Sequence, residues 1–324
     1  MGNDEFKAPD ATAHFSLIRD FWPLYDTFSL RAREITLAIE NLRDSFITCL
    51  EQTVGKCDVL EIKDIWRETD SITDPNSLIV TLDGGILYRN PDFRIEITRA
   101  CISIANSIKG PYLRLPRQFA PMLNQQALML QEVFSRSGKQ NIVLCDDGIG
   151  TGGTFRRIIQ LCRQLELPVV SVVALTNPLG LTDIDGVPVR ILDIQRGNGA
   201  WLNERDLFWG LPRSGLSISE QSRFGTVGGV PYTACEEMAV ERIGVPLNKA
   251  RFFIETALKI NHTFFLLHEQ LYGRSINFPD VPRLAFFLEY NIPTEKPIRE
   301  FLKQLRESRE LRLRLFGGLY DDHI

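Results

Sequence analysis

The sequence predicts an α/β protein in which a mostly parallel sheet is flanked by helices. Short β-branched runs alternate with helical patterns in the middle of the chain, which is typical of strand–helix–strand units. The runs are apolar on both faces, as expected for strands that are buried in a parallel sheet. The predicted strands are 78–82, 141–145, 169–175 and, more weakly, 187–192.

Helical patterns precede and follow this region. In the first segment, about residues 12–52, apolar residues recur at three- and four-residue steps, and Pro23 is expected to separate a short helix from a longer one. Near the end of the chain, Phe253–Leu271 forms an apolar helical seam that could pair across a two-fold axis in a homodimer. The expected division is an N-terminal helical extension, an α/β domain and a C-terminal helical region, at 1–55, 56–230 and 231–324.

Composition limits the class of protein. With 324 residues, 24% charged and 44% hydrophobic, the chain has ordinary globular composition, which excludes a disordered chain. Its formal net charge of −4 gives no indication of nucleic-acid binding, and no apolar run approaches the roughly 18 residues needed to span a bilayer. Its six cysteines form no C-x-x-C pair and its four histidines are dispersed, so we expect no zinc site and a soluble, cytoplasmic protein.

The most informative stretch follows the predicted strand 141–145 and precedes an amphipathic helix. It reads Asp146-Asp147-Gly148-Ile149-Gly150-Thr151-Gly152-Gly153-Thr154. A strand that enters a helix through glycines places several backbone N–H groups around one point, and with the helix dipole these donors form an anion site. The hydroxyl groups of Thr151 and Thr154 can add further donors.

Three kinds of ligand are compatible with a glycine turn of this type. Gly148, Gly150 and Gly153 satisfy G-x-G-x-x-G, but a dinucleotide site also needs an acidic residue after the next strand, which ends at Ala174–Asn177 without one. The stretch also resembles the first motif of S-adenosylmethionine-dependent methyltransferases, which expects the same acidic residue and usually begins its domain. A Walker-type loop is excluded because Gly-Lys-Ser/Thr is absent.

The stretch resembles most closely the phosphoribosyl diphosphate signature of type I phosphoribosyltransferases. That signature is a buried strand, two acidic residues, a short spacer and T-G-G-T or a close variant. The resemblance implies that Asp146 and Asp147 bind the 2′- and 3′-hydroxyls of a ribose. It also implies that 148–154 wraps the 5′-phosphate, with Thr151 and Thr154 as side-chain donors, and leaves C1′ open to substitution.

Two further loops resemble the family less closely. The family has a pyrophosphate loop after an earlier strand, and its counterpart in this chain is Leu82-Asp83-Gly84-Gly85. Asp83 places negative charge where pyrophosphate would lie, a conflict that Mg²⁺ could bridge. A mobile catalytic loop usually lies between the two motifs; 109–117 is the candidate, and its Arg114 and Arg117 could neutralise the departing pyrophosphate.

The acceptor end of the site is less well defined. Trp201 and Trp209 follow the fourth predicted strand, where this fold recognises the acceptor base, and they could stack on a planar ring or pack in the core. Gly150 stands where purine-salvage members commonly have an acidic residue, so we do not expect hypoxanthine-type salvage. By analogy, a glycine there is similar to divergent members of the fold, some of which occur in bacterial defence loci.

The resemblance implies an enzyme that binds 5-phosphoribosyl 1-diphosphate with Mg²⁺ and transfers the phosphoribosyl group to a nitrogen acceptor, releasing pyrophosphate. The main alternative is a binding module of the same fold that senses a phosphoribosyl compound or nucleotide without turnover. A methyltransferase is a distant third. The sequence does not indicate which acceptor would be used.

Overall fold

The computed structural model describes residues 15–20, 33–72, 74–82, 86–101, 112–117, 119–192, 201–219, 228–281, 283–284 and 296–316. The strands are β1 (Phe15–Arg19), β2 (Cys57–Glu61), β3 (Ser77–Thr81), β4 (Phe93–Arg94), β5 (Ile97–Cys101), β6 (Tyr112–Pro116), β7 (Asn141–Gly148), β8 (Val169–Thr176), β9 (Asp183–Ile184), β10 (Val187–Ile191), β11 (Trp201–Asn203), β12 (Leu216–Ile218) and β13 (Gly228–Val230). The longer helices are α1 (Arg33–Val54), α2 (Ile62–Ile72), α3 (Leu123–Ser137), α4 (Gly153–Gln164), α5 (Leu247–Tyr272), α6 (Ile298–Glu307) and α7 (Arg309–Phe316). None of these helices combines the length and the apolar character that crossing a bilayer requires.

A six-stranded sheet forms the centre of the α/β region, in the order β4-β3-β7-β8-β10-β9. The four predicted strands are confirmed as β3, β7, β8 and β10, and they pair in parallel. Successive side chains of β7 point to opposite faces, as strand geometry requires. Leu144 packs into the core beneath α3 and α4, whereas Val143 packs into the core on the other face.

That other face is covered by α2 and a second, three-stranded parallel sheet in the order β11-β1-β2. The expectation that the N-terminal extension is helical is therefore wrong for Phe15–Arg19, which forms β1. Nearly all of β1 is buried between two apolar layers, so its sequence lacks the alternation of a half-exposed strand. The longer predicted helix is confirmed as α1, whereas Pro23 lies outside the described residues.

A third core joins both ends of the chain. The predicted seam on α5 is confirmed as a helical face, with Phe253, Ala257 and Phe264 fully buried or nearly so. The helices α1 and α6 of the same chain pack against α5 and cover most of the seam, although Leu271 at its end is exposed. The predicted homodimer stays a prediction. This core contains residues of all three expected segments, and packing therefore crosses both proposed boundaries.

A four-stranded sheet in the order β13-β12-β5-β6 brings the segment after β4 across the end of β7. β5 and β6 form an antiparallel pair, with Arg99 opposite Arg114. The expected mobile loop 109–117 is thus wrong for 112–116, which is the strand β6; residues 109–111 lie outside the described residues. The pairing of two strands fixes these arginines at one edge of the site.

One fully buried charge ties the end of the chain to this core. Arg312 donates to both carboxylate oxygens of Glu236, at 2.7 Å from Nη2 and 3.2 Å from Nε, and its Nη1 donates to the carbonyl of Leu305. A buried guanidinium loses its hydration and needs such partners to remain stable. The pair therefore fixes α7 against the helical turn Glu236–Met238.

We expect Arg312→Ala to lower the free energy of unfolding by about 3–5 kcal/mol, because the buried Glu236 carboxylate would lose both hydrogen bonds from Arg312 and keep only Arg309 at 3.9 Å. Urea denaturation measures this loss. The matched control is Arg136→Ala, which removes an exposed ion pair with Glu132 on α3 and should leave stability nearly unchanged. Equal effects of the two substitutions would contradict the assignment.

Candidate functional site

The centre of the site is the turn between β7 and α4. Gly152 caps the helix with a φ of 76°, in the left-handed region that favours glycine. Arg156 is the first residue of α4 whose amide group donates a helical hydrogen bond; it donates to the carbonyl of Gly152 at 2.9 Å. The amides of the three preceding residues, Gly153, Thr154 and Phe155, therefore face the space before the helix, where the dipole is positive.

A cavity of about 220 Å³, which we call the loop chamber, opens over this turn. The stretch from Asp146 to Thr154, which was predicted to bind the ligand, lines one wall of the chamber. The remaining lining residues are Arg99, Arg114, Phe155 and Trp201. The structure therefore brings the adjacent carboxylates, the glycine turn and cationic side chains into one cavity.

Two arginines form the wall opposite the turn. Arg114 lies directly over the first turn of α4, since a Cβ atom added to Gly153 would be 2.5 Å from its Nη2. Arg99 lines the chamber from the neighbouring strand, and the sequence analysis did not identify it. Guanidinium groups facing a helix N-terminus favour an anion between them.

A second cavity of about 210 Å³, which we call the side chamber, adjoins the first and shares Arg99, Asp147 and Trp201 with it. Arg117, Asp147 and Trp201 in its walls were predicted as site residues, whereas the rest of its lining was not. Its further polar lining residues are Thr98, Arg117, Asn203, Asp206, Arg213, Tyr232, Glu241 and Arg242.

The two tryptophans that were predicted to contact an acceptor have different positions. Trp201 lies on β11 with its ring directly over Gly148, where any side chain would overlap it, and it separates the two chambers. Trp209 lines neither chamber and is fully buried, which corrects the prediction. Its Nε1 donates to Thr233 at 2.9 Å and its ring packs edge-on against Phe301.

Asp147 is oriented by a residue from the second sheet. The Nδ2 of Asn203 donates to Oδ2 of Asp147 at 2.5 Å, and the amide of Asp147 donates to Oδ1 of Asp146 at 3.1 Å. Asn203 begins the run Asn203-Glu204-Arg205-Asp206, which has the composition of an exposed polar turn. No pattern in the sequence indicates that this run is buried beside the glycine turn.

Buried ion pairs hold this run in place. Arg43 of α1 donates to both oxygens of Glu204 at 2.6 and 2.8 Å, and Nε of Arg205 lies 2.7 Å from Oδ2 of Asp20, which follows β1. Burial raises the pKa of Glu204 to about 7, although Arg43 opposes the shift. Burial also raises the pKa of Asp20, with Arg205 opposing it.

Asp206 lies at the end of the run and lines the side chamber. Its Oδ1 accepts a hydrogen bond from the amide of Gly215 at 2.7 Å. Burial raises its pKa to about 7, against the opposing charge of Arg205, and the neighbouring carboxylates of Asp20 and Asp147 raise it further. This carboxyl group therefore changes its protonation state near neutral pH.

Arg117 lines the side chamber, while Arg114 lines the loop chamber, so both predicted arginines reach the site. Arg117 is largely buried, and its Nε lies 3.8 Å from Oε2 of Glu96. Burial lowers the pKa of Arg117, although Glu96 opposes the shift. Glu96 also contacts Arg213, so one carboxylate is shared by two guanidinium groups of the side chamber.

The predicted pyrophosphate loop is only partly described. Leu82 is buried in the core beneath the sheet and lines neither chamber, so its prediction as a binding residue is wrong. Asp83, Gly84 and Gly85 lie outside the described residues. Ile149 lines the loop chamber only as part of the wall, because its side chain is in the core and its amide donates to Thr176 at 2.8 Å.

Within the described residues, no three His, Cys, Asp or Glu side chains converge as a metal-binding group. No family model, curated protein or solved structure matches the chain.

We expect Gly148→Ala to destabilise the protein by about 1–3 kcal/mol, because the new methyl group would overlap the ring of Trp201. The matched control in the same turn is Gly150→Ala, where nothing lies within 4 Å of the added Cβ. Urea denaturation of both variants measures the difference. Equal stabilities would show that Trp201 does not lie against Gly148.

We expect the stability of the wild type to fall relative to that of Asp206→Asn as the pH rises from about 4 to about 7. The folded protein keeps a proton on Asp206 that the unfolded chain, with an ordinary pKa of 3.8, gives up. The steepest slope is about 1.4 kcal/mol per pH unit, and the difference is constant above pH 7. Denaturation at several pH values across this range measures the difference in stability between the wild type and Asp206→Asn. The control is Asp64→Asn, on the exposed side of α2. A stability difference that does not change with pH would contradict the account.

Proposed function

We propose that the chain binds 5-phosphoribosyl 1-diphosphate with Mg²⁺ and transfers the phosphoribosyl group to a nitrogen acceptor, with release of pyrophosphate. One observation carries the proposal. The loop chamber combines adjacent carboxylates, a glycine turn at a helix N-terminus and two opposing guanidinium groups. A sugar phosphate needs all three, because its diol is a hydrogen-bond donor and its phosphate is an anion.

The phosphate end of the ligand would bind at the start of α4. The amides of Gly153, Thr154 and Phe155 supply directed donors, and the hydroxyls of Thr151 and Thr154 lie on the same wall. Arg114 covers this position from the opposite side. Charge-assisted hydrogen bonds of this kind are shorter and stronger than neutral ones.

The ribose end would bind at the preceding carboxylates. Asp146 and Asp147 can accept hydrogen bonds from the two vicinal hydroxyls, and Asn203 holds Asp147 in a fixed orientation. Asp147 and Trp201 border both chambers, so a ribose held here would direct C1′ towards the side chamber. The acceptor would then enter from that side.

In the proposed reaction, the bond between C1′ and the diphosphate oxygen breaks, and its electron pair leaves with pyrophosphate. The lone pair of the acceptor nitrogen forms the new bond to C1′. The protein would contribute by positioning the reactants and by stabilising charge, rather than by covalent catalysis. Arg99 and Arg114 line the loop chamber, and Arg99 and Arg117 are among the cations that line the side chamber.

The donor set suits Mg²⁺. This ion commonly binds through one or two carboxylates and completes its coordination with substrate phosphates and water. Asp146 and Asp147 are the carboxylates of the loop chamber that would hold it. When bound, the ion would neutralise part of the negative charge on the diphosphate.

A specific observation favours the second candidate, a module that binds a phosphoribosyl compound or nucleotide without turnover. Arg117 and Arg213 both contact Glu96, which reduces the positive charge that they offer to a leaving group. Pyrophosphate release with a panel of nitrogen bases separates the two functions. Tight binding without release would support the sensing module, and binding of S-adenosylmethionine instead would support a methyltransferase.

We expect the double variant Asp146→Asn with Asp147→Asn to lose binding of phosphoribosyl diphosphate, because neutral amides are weaker acceptors for the ribose hydroxyls and weaker ligands for Mg²⁺. Calorimetric titration in the presence of Mg²⁺ measures the affinity, and thermal melting checks that the fold is retained. Undiminished affinity in a folded double variant would contradict the proposal.

We expect Arg114→Gln to weaken binding of the same ligand by about 10- to 100-fold, the loss that corresponds to one charged hydrogen-bonding partner. Arg157→Gln is the matched control, since Arg157 is an exposed arginine on α4 that lines neither chamber. Comparable losses in both variants would indicate a general effect of charge, and no loss in Arg114→Gln would place the phosphate elsewhere.

A further inference from the structure

The side chamber holds a carboxyl group, Asp206, to which binding of the diphosphate assigns no role. Asp206 is 8% exposed and lines the cavity together with Asp147 and Trp201. Its Oδ1 is fixed by the amide of Gly215 at 2.7 Å. The carboxyl group is thus held in one orientation at the wall of the chamber into which C1′ would open.

Charged groups from several elements face Asp206. Arg205 lies on its own turn, Asp20 follows β1 and Asp147 ends β7. Tyr232, which follows β13, has its pKa raised by burial and by the charge of Asp206. Arg283 has its pKa lowered to about 9 by burial, and Asp206 opposes that shift.

Together, these neighbouring groups place the pKa of Asp206 near neutral pH. Burial raises its pKa to about 7, and the carboxylates of Asp20 and Asp147 add to the shift, whereas Arg205 opposes it. A carboxyl group with a pKa near the working pH can both take up and release a proton. The remaining charged lining residues of the chamber are Arg99, Arg117, Arg213, Glu241 and Arg242.

The proposed transfer requires a proton acceptor. When an N–H group of the acceptor attacks C1′, its nitrogen becomes cationic unless the proton leaves as the new bond forms. The turn after Asp147 supplies no side-chain carboxylate for this step, since residues 148–154 are glycine, isoleucine and threonine. The side chamber, on the acceptor side, has the buried carboxyl group of Asp206 in its wall.

We propose that Asp206 accepts this proton and that the acceptor is a planar nitrogen heterocycle with an ionisable N–H, bound in the side chamber between Asp206 and Trp201. This inference rests on the proposed phosphoribosyl transfer. Pyrophosphate leaves with the electron pair of the C1′–O bond, the acceptor nitrogen bonds to C1′, and its proton passes to the Asp206 carboxylate. Release of that proton to solvent restores the ionised carboxylate.

The test compares the wild type with Asp206→Asn, which retains an oxygen for the Gly215 amide. Pyrophosphate release from phosphoribosyl diphosphate and Mg²⁺ is measured from pH 5 to 9 with adenine, guanine, uracil, cytosine and orotate. We expect wild-type kcat to decline below about pH 7, where Asp206 is protonated. In Asp206→Asn, kcat should fall on the order of 100-fold and lose this acidic limb, while the affinity for phosphoribosyl diphosphate is retained.

Asp64→Asn is the control, because Asp64 is an exposed acid on α2 that lines neither chamber. This variant should keep the wild-type pH profile of kcat. An unchanged profile in Asp206→Asn, a wild-type profile without an acidic limb, or tight binding with no release by any base would each overturn the inference. Absence of phosphoribosyl diphosphate binding to the wild type would instead refute the proposed function itself.

Discussion

The entry of β7 into α4 is the constraint on which the rest of the site depends. β7 is paired on both sides, with β3 as far as Cys145 and with β8 as far as Gly148, so ladders of backbone hydrogen bonds fix its position up to the glycine turn. The helix that follows begins within five residues of the end of the strand, and its first amides have no partners inside the helix. The sheet therefore determines where a set of unpaired donors must lie, and the arginines of β5 and β6 face that point.

Buried charges bring the N-terminal part of the chain to this turn. Glu204 and Arg205 are held by Arg43 and Asp20, which come from the first 43 residues, and the run that contains them carries Asn203. Removing charged groups from water is costly unless they are paired with good geometry, so each pair specifies one arrangement of these segments. The N-terminal segment, which the sequence suggests is an added extension, is therefore part of the support of the site.

Sequence patterns predicted the features that depend on local order. The strands around Val143 and Val172 are continuous apolar runs, and the glycines after Asp147 mark a turn whose geometry few other residues allow. Features that depend on distant partners were not predictable. Phe15–Arg19 reads as an extension of a helical segment because its pairing strands lie about 40 and 185 residues away in the sequence.

The positions of the polar residues in the site could not be predicted from the sequence either. Arg99, Asn203 and Asp206 have no distinctive neighbours in the sequence, and only the packing of separate sheets places them in the chambers. The two tryptophans are similar in sequence context, but Trp209 meets a buried hydroxyl and the aromatic core, whereas Trp201 meets a glycine at the cavity wall. Composition alone does not distinguish these surroundings.

A crystal structure of the chain with ribose 5-phosphate tests the central claim most directly. The account predicts phosphate oxygens within hydrogen-bonding distance of the amides of Gly153, Thr154 and Phe155, and the 2- and 3-hydroxyl groups on Asp146 and Asp147. A sugar phosphate bound away from this turn, or a loop chamber that stays empty at saturating ligand, would contradict it.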